Sequence, residues 1–234
     1  MNNFNQYGYP QPDMAFEVSL NKVMRRVYMK MCLALIVTAL TAMFTASSGL
    51  AMVIASNRLL FWGLMILELV MVFVISGAIN KISSPVATLL FYGYSILNGA
   101  VLSFLFFAFD LGALAKTFFI TAGVFGAMTV YGYFTKTSLA KFGSILYMAL
   151  FGLIICIVVN MFMQSQGFDY LISFFGVAIF IGLTAWDTQK IKQMIAYDGG
   201  ANIGKIATMG ALSLYLDFIN LFLYLLRFFG GSRD

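Results

Sequence analysis

Seven stretches of apolar residues make up most of the chain, over roughly 31–52, 59–79, 85–108, 115–134, 143–163, 170–189 and 206–228. An α-helix rises 1.5 Å per residue, so about 20 apolar residues cross the ~30 Å hydrocarbon core of a bilayer. The pattern predicts an all-α integral membrane protein with seven transmembrane helices. The gaps are short, so successive helices pack as neighbours and no extramembrane domain fits between them. Residues 1–20 (MNNFNQYGYPQPDMAFEVSL) are polar and predict a short mobile cytoplasmic tail, which leaves 21–234 as one seven-helix domain. The tail has no basic start followed by an apolar core, so it does not read as a signal peptide. An amphipathic stretch carrying Lys22, Arg25, Arg26 and Lys30 leads into the first span.

Composition agrees with the pattern. Of 234 residues, 62% are apolar and only 10% are charged, and the mean hydropathy is +0.92. A soluble domain carries roughly 25% charged residues, so most of this surface must face lipid. The net charge of +5 does not indicate nucleic acid, because the charges sit in the gaps between apolar runs. Counted by gap, Lys22, Arg25, Arg26, Lys30, Lys81, Lys136, Lys141, Lys190, Lys192 and Lys205 fall on one side, which is ten. Arg58, Lys116, Arg227 and Arg233 fall on the other, which is four. Cytoplasmic loops carry the excess of Lys and Arg, so the N-terminus is expected inside and the C-terminus outside. The short tail and the lack of a retrieval signal point to a bacterial inner membrane. Cys32 and Cys156 lie within apolar runs and read as small buried hydrophobes with reduced thiols. The absence of histidine removes His metal sites, Ser-His catalysis and His-based pH sensing together.

Three acids lie inside the apolar runs: Glu68, Asp187 and Asp217. A carboxylate at membrane depth costs at least ~2.5–3.5 kcal/mol on insertion scales, so each needs a partner or a purpose. The last segment says most. Gly210, Ser213, Asp217, Asn220, Tyr224 and Arg227 are spaced 3, 4, 3, 4 and 3 apart, which puts all six on one helix face. A polar stripe on an otherwise apolar helix marks a central helix whose stripe faces the bundle interior or water, the alternative being hydrogen bonds that only hold helices together. Asn98 and Asn160 are candidates to line the same interior, or to make packing hydrogen bonds.

Two carboxylates meeting across the sixth and seventh spans cannot both be ionised cheaply in a low dielectric. They would share one proton and form a pH-sensitive latch without histidine. Losing the proton would push the helices apart or recruit a cation. Hard oxygen ligands suit Ca²⁺ or Mg²⁺, and two carboxylates make only a weak, transit-type site. On this reading Asp187 and Asp217 are the pH sensor and the weak Ca²⁺ ligands. Glu68, Asp217, Asn220 and Ser213 are the pore-lining or ion-binding candidates. Ca²⁺ is the permeant ion, and no cofactor is expected.

The segment ALSLYLDFINLFLYLLRFFG (211–230) resembles the C-terminal signature of the Bax inhibitor-1 family, also called the transmembrane Bax inhibitor motif family. AWDTQKIK (185–192) resembles that family's sixth-helix ending, and ILELVMVFVIS (66–76) its second helix with a buried glutamate. The resemblance implies seven helices, six of them around a central C-terminal one, and a pH-sensitive Ca²⁺ leak. By this analogy Asp187 and Asp217 match the paired aspartates of the latch, and Glu68 the acid near the pore. The family's bacterial representative has an arginine late in its second helix. Ile79 stands there in this chain, followed by Asn80 and Lys81, which leaves Lys81 as the candidate basic partner. Lysine is a poorer bidentate partner for carboxylates than arginine.

Other functions fit less well. An intramembrane aspartyl protease would carry Gly-x-Gly-Asp and a later Pro-Ala-Leu. Here Leu214, Tyr215 and Leu216 precede Asp217, and no proline follows Pro85, so an enzyme is not expected. A retinal protein needs a lysine within the seventh span, and 206–228 has none. A proton-coupled transporter and a membrane-embedded regulator that binds other membrane proteins remain as alternatives.

Overall fold

The computed structural model describes residues 14–198 and 202–230. Among these the regular structure is entirely helical: α1 (Met14–Ser47), α2 (Leu50–Ser56), α3 (Arg58–Ala78), α4 (Ser84–Leu102), α5 (Leu105–Ala108), α6 (Leu111–Phe134), α7 (Ala140–Met163), α8 (Gln166–Asp198) and α9 (Ile203–Phe229). Seven helical segments are long and apolar enough to cross a membrane, with α4 and α5 together forming the third. Hydrocarbon offers no partner to a backbone N–H or C=O, so each apolar run must close its hydrogen bonds internally as a helix.

The helix ends follow local chemistry. Gly49 adopts φ 76°, a left-handed conformation in which a side chain would be strained, and it ends the first span. The first membrane helix is therefore Leu20–Ser47 rather than 31–52, and the basic stretch with Lys22, Arg25, Arg26 and Lys30 is its continuous first part. The Asn57 side chain accepts from Leu60 N at 3.1 Å and caps α3. Pro85 sits in the first turn of α4, where its missing N–H costs nothing. Asn160 caps the turn after α7 by accepting from Ser165 N at 3.1 Å, so it closes a turn and does not line an interior. The tail expected over 1–20 lies outside the described residues as far as residue 13, and the chain is helical from Met14.

Hydrogen bonds gather the basic gaps at one end of the bundle. The Lys205 ammonium donates to Asn80 O at 3.1 Å. The Tyr133 hydroxyl donates to Asn21 Oδ1 at 2.8 Å, and the Lys192 ammonium caps α6 by donating to Tyr133 O at 2.9 Å. Gln189 holds the α6–α7 loop twice, donating to Thr137 O at 2.9 Å and accepting from Leu139 N at 2.7 Å. At the opposite end Arg227 pairs with Asp169 at 2.5 Å.

α9 packs against α1, α4, α6 and α8, while α3 packs on α4 and α7 on α8. Burial follows: 67% of the apolar window of α9 is enclosed, against 6% for α3. The outward faces of α3, α6 and α7 are Leu, Ile, Val and Phe, which suits contact with lipid. Cys32 and Cys156 are both free. Cys32 faces outward from α1 and is not buried as expected from sequence, because the inward stripe of that helix runs through Val23, Val27, Met31 and Ala34.

Candidate functional site

The segment 185–192 sits where α8 meets α6, α7 and α9. The Trp186 ring packs edge-on against Tyr147 of α7, with centroids 5.2 Å apart, and Gly143 of α7 leaves room for the indole. Thr184 and Thr188 donate to carbonyls one turn back in α8, both at 2.7 Å, so their hydroxyls are satisfied inside the helix. Asp187, between them, turns toward α9.

Asp187 and Asp217 are each 4% exposed. Asp217 feels the charges of Asp187 and Lys190, and Tyr147 faces both carboxylates. Asp187 Oδ1 and Asp217 Oδ2 are buried with no hydrogen-bond partner. A buried acceptor without a donor carries a desolvation cost of about 1–3 kcal/mol, more if charged, so these oxygens call for a proton or a cation. The cation brought to the pair is Lys190, one turn along α8, whose ammonium also lies 4.6 Å from the Trp186 ring centroid. Lys81 is exposed in the turn after α3, and the positive charge acting on the two carboxylates comes from Lys190 and not from it. Among the described residues no cluster of three or more acidic, Cys or His side chains could hold a metal.

The stripe on α9 faces α8 rather than an open lumen. Gly210 lies against Ile191, and Tyr224 stacks on Phe180 at 5.8 Å over the surface opened by Gly176. Arg227 ends the stripe at Asp169. Asn220 donates to Leu216 O at 2.8 Å in its own helix, and Ser213 is half-buried.

Glu68 is elsewhere. It accepts from Asn98 Nδ2 at 3.1 Å, and Asn98 Oδ1 accepts from the Tyr215 hydroxyl at 3.0 Å. Tyr215 also meets Thr38 Oγ1 at 2.6 Å. This second network joins α3, α4, α9 and α1 on the face of α9 turned away from α8. Glu68 was expected among the pore-lining candidates with Asp217, Asn220 and Ser213, and no role was expected of Tyr215, since nothing in the periodicity of one helix tells how many neighbours it has. Lys30 was overlooked as well. Its ammonium donates to Thr88 at 2.7 Å and Thr208 at 2.6 Å. Position 30 lies three residues after Val27 and four before Ala34, and that phase was the available signal.

A polytopic helical membrane protein with two buried carboxylates on its last two spans is the class that fold and site define. The sequence profile of the family described as "Inhibitor of apoptosis-promoting Bax1" matches residues 20–234. The chain is 42% identical to inner membrane protein YbhL of Escherichia coli (strain K12), over 96% of this chain and 99% of that protein. It is 46% identical to an uncharacterized protein of Borreliella burgdorferi, over 92% and 94% of the two chains, and 40% identical to one of Rickettsia prowazekii, over 94% and 93%. The chain belongs to the Bax inhibitor-1 family, and it is a multi-pass protein of the bacterial inner membrane type.

Proposed function

We propose that the protein is a pH-sensitive cation leak channel, with Ca²⁺ as a permeant ion and the Asp187–Asp217 pair as its latch. The observation that carries this reading is the pair of buried carboxylate oxygens, one on each residue, with no hydrogen-bond donor. A single shared proton satisfies both when the latch is closed. When the proton leaves, two like charges face each other in a low dielectric, and either the α8–α9 seam opens or a cation enters. No covalent chemistry is part of this proposal.

Two further features support it. A cavity of about 410 Å³ opens between the end of α3, the end of α8 and the start of α9, with Asn80, Tyr197, Asn202 and Lys205 at its walls. It reaches Met194, two helical turns along α8 from Asp187, and would serve as a vestibule. The enclosure of α9 supports an axial role for that helix, with the other spans arranged around it, so that a small rotation of α9 is felt by four neighbours.

The sign of the pH dependence follows from the shared proton. The closed state holds it and is favoured at low pH; raising the pH removes it and increases the leak. The test is Ca²⁺ flux into dye-loaded proteoliposomes from about pH 5 to 8, a window that brackets a perturbed carboxylate. Asp217→Asn removes the repulsion and a cation ligand, and should flatten the pH profile and weaken Ca²⁺ binding together. Asp187→Asn should flatten the profile with a smaller effect on permeation. A double Asn variant whose profile overlays that of the wild-type protein would sink the mechanism. Saturable solute exchange would mark a transporter, and no flux at any pH would favour a membrane-embedded regulator.

A further inference from the structure

The network on the other face of α9 contains fewer protons than contacts. Tyr215 has one hydroxyl proton and two acceptors in reach, Asn98 Oδ1 and Thr38 Oγ1. Thr38 has one proton and three acceptors in reach: the Tyr215 oxygen at 2.6 Å, Ala34 O at 2.9 Å and Ser95 O at 3.0 Å. Two oxygens 2.6 Å apart with no proton between them repel, so the direction of one bond dictates the next.

The direction is set at Glu68. An ionised carboxylate only accepts, so Asn98 presents Nδ2 to it, as observed. Asn98 Oδ1 then faces Tyr215 and takes its proton, and the Tyr215 oxygen must accept from Thr38. A protonated Glu68 still accepts at its carbonyl oxygen but gains one O–H that needs an acceptor, and Asn98 is the side chain in reach. That O–H goes to the amide oxygen of Asn98, which a half-turn of the amide brings round with little movement of heavy atoms. Asn98 Nδ2 then donates to Tyr215, Tyr215 donates to Thr38, and the Thr38 proton goes to Ser95 O or Ala34 O. Each hydroxyl and amide group has a partner in both arrangements, whereas an unturned Asn98 beside a protonated Glu68 leaves the new carboxyl O–H without an acceptor among the contacts described.

We propose that Glu68 is a proton-binding site separate from the aspartate pair, and that the chain Glu68–Asn98–Tyr215–Thr38 reverses its hydrogen-bond direction whenever that proton binds or leaves. The surroundings fit a site for a proton rather than a metal. The oxygen partner described for Glu68 is a neutral amide. The titratable groups that face it are Tyr94 of α4 and Tyr215 of α9, and α2, also packed on α3, carries no titratable side chain. The protonated arrangement frees the Thr38 proton for Ser95 O, which ties α1 to α4, and the ionised arrangement withdraws it. Binding one proton on the lipid-facing helix α3 is thereby reported to α1, and no charge moves beyond Glu68. The inference holds whether or not the aspartate pair gates a leak.

The test is pH-difference infrared spectroscopy of the full-length protein in liposomes, with asparagine labelled by ¹⁵N. A carboxylic-acid band, an asparagine side-chain amide band and a tyrosine ring band should change with one common midpoint. Glu68→Gln should abolish the acid band and freeze the other two. Thr38→Val deprives the protonated arrangement of its acceptor for Tyr215, and should move the common midpoint to lower pH. The double Asp187→Asn, Asp217→Asn variant should keep all three changes, which separates this test from that of the leak. Amide and tyrosine changes that survive Glu68→Gln would overturn the proposal. So would an acid band that titrates without them, or the absence of any Glu68-dependent band between about pH 4 and 9.

Discussion

The Lys30 ammonium is held between two hydroxyls whose oxygens lie 3.0 Å apart. Thr88 and Thr208 donate in turn to Ser84 O at 2.8 Å and Gly204 O at 3.0 Å, so both remain satisfied if the cation is removed. The reverse does not hold, because a half-buried ammonium that loses an acceptor keeps its desolvation cost. Thr208→Val should therefore destabilise the protein more than Lys30→Met, by about 1 kcal/mol, the low end for a charged group because Lys30 is partly solvated. Thermal unfolding in detergent reads the order directly, and a larger loss for Lys30→Met would show that the ammonium carries the stability. Among residues of this kind the sequence announces only some. Asp217 stands out because a charge midway along an apolar run has no other explanation, while Lys30 hides among topology signals.

At the scale of elements, the α8–α9 seam depends on close approach. A Cβ on Gly176 would lie 2.7 Å from the Tyr224 ring, and that ring is fixed by stacking on Phe180. Gly176→Leu should cost at least about 1–3 kcal/mol by overpacking. Gly152, on α7, has nothing within 4 Å, so Gly152→Ala should be neutral or slightly stabilising through helix propensity, by up to about 1 kcal/mol. The unfolding midpoint should fall for Gly176→Leu and hold or rise for Gly152→Ala, and an unchanged midpoint for Gly176→Leu would show that the seam tolerates repacking. Helix positions were legible in the sequence to within a few residues for five spans, while the sixth, expected over 170–189, continues as a helix to Asp198 because its amphipathic end keeps packing after the apolar run stops. The first was misplaced because apolar residues continue past Ser47, while the backbone turns at Gly49 for a reason of conformation rather than hydropathy.

For the whole molecule, the Lys and Arg residues that alternate between gaps are brought to one end by Lys205, Lys192 and Gln189 bridging between elements. That end should face the cytoplasm. Reporter fusions after Gly200 and at Asp234 should therefore report opposite sides of the membrane. Both reporting the same side would leave α9 unable to span, and the seven-span arrangement would fail with it.

Hydropathy and length determined, from the sequence alone, that the chain forms seven membrane helices and that Glu68, Asp187 and Asp217 are the acids needing explanation. Both are local quantities: the thickness of hydrocarbon sets the helix length, and the solvation of a charge sets its cost at depth. Only the tertiary structure decided who meets whom. It turned the α9 stripe toward α8, placed Lys190 rather than Lys81 beside the aspartates, and put Glu68 in a separate chain through Tyr215. Those outcomes depend on the rotation of each helix about its own axis and on which neighbours it has. In a membrane the outward face is apolar too, so hydrophobicity cannot orient a helix as it does in water; small residues and hydrogen bonds do so, and they act only once the helices are together.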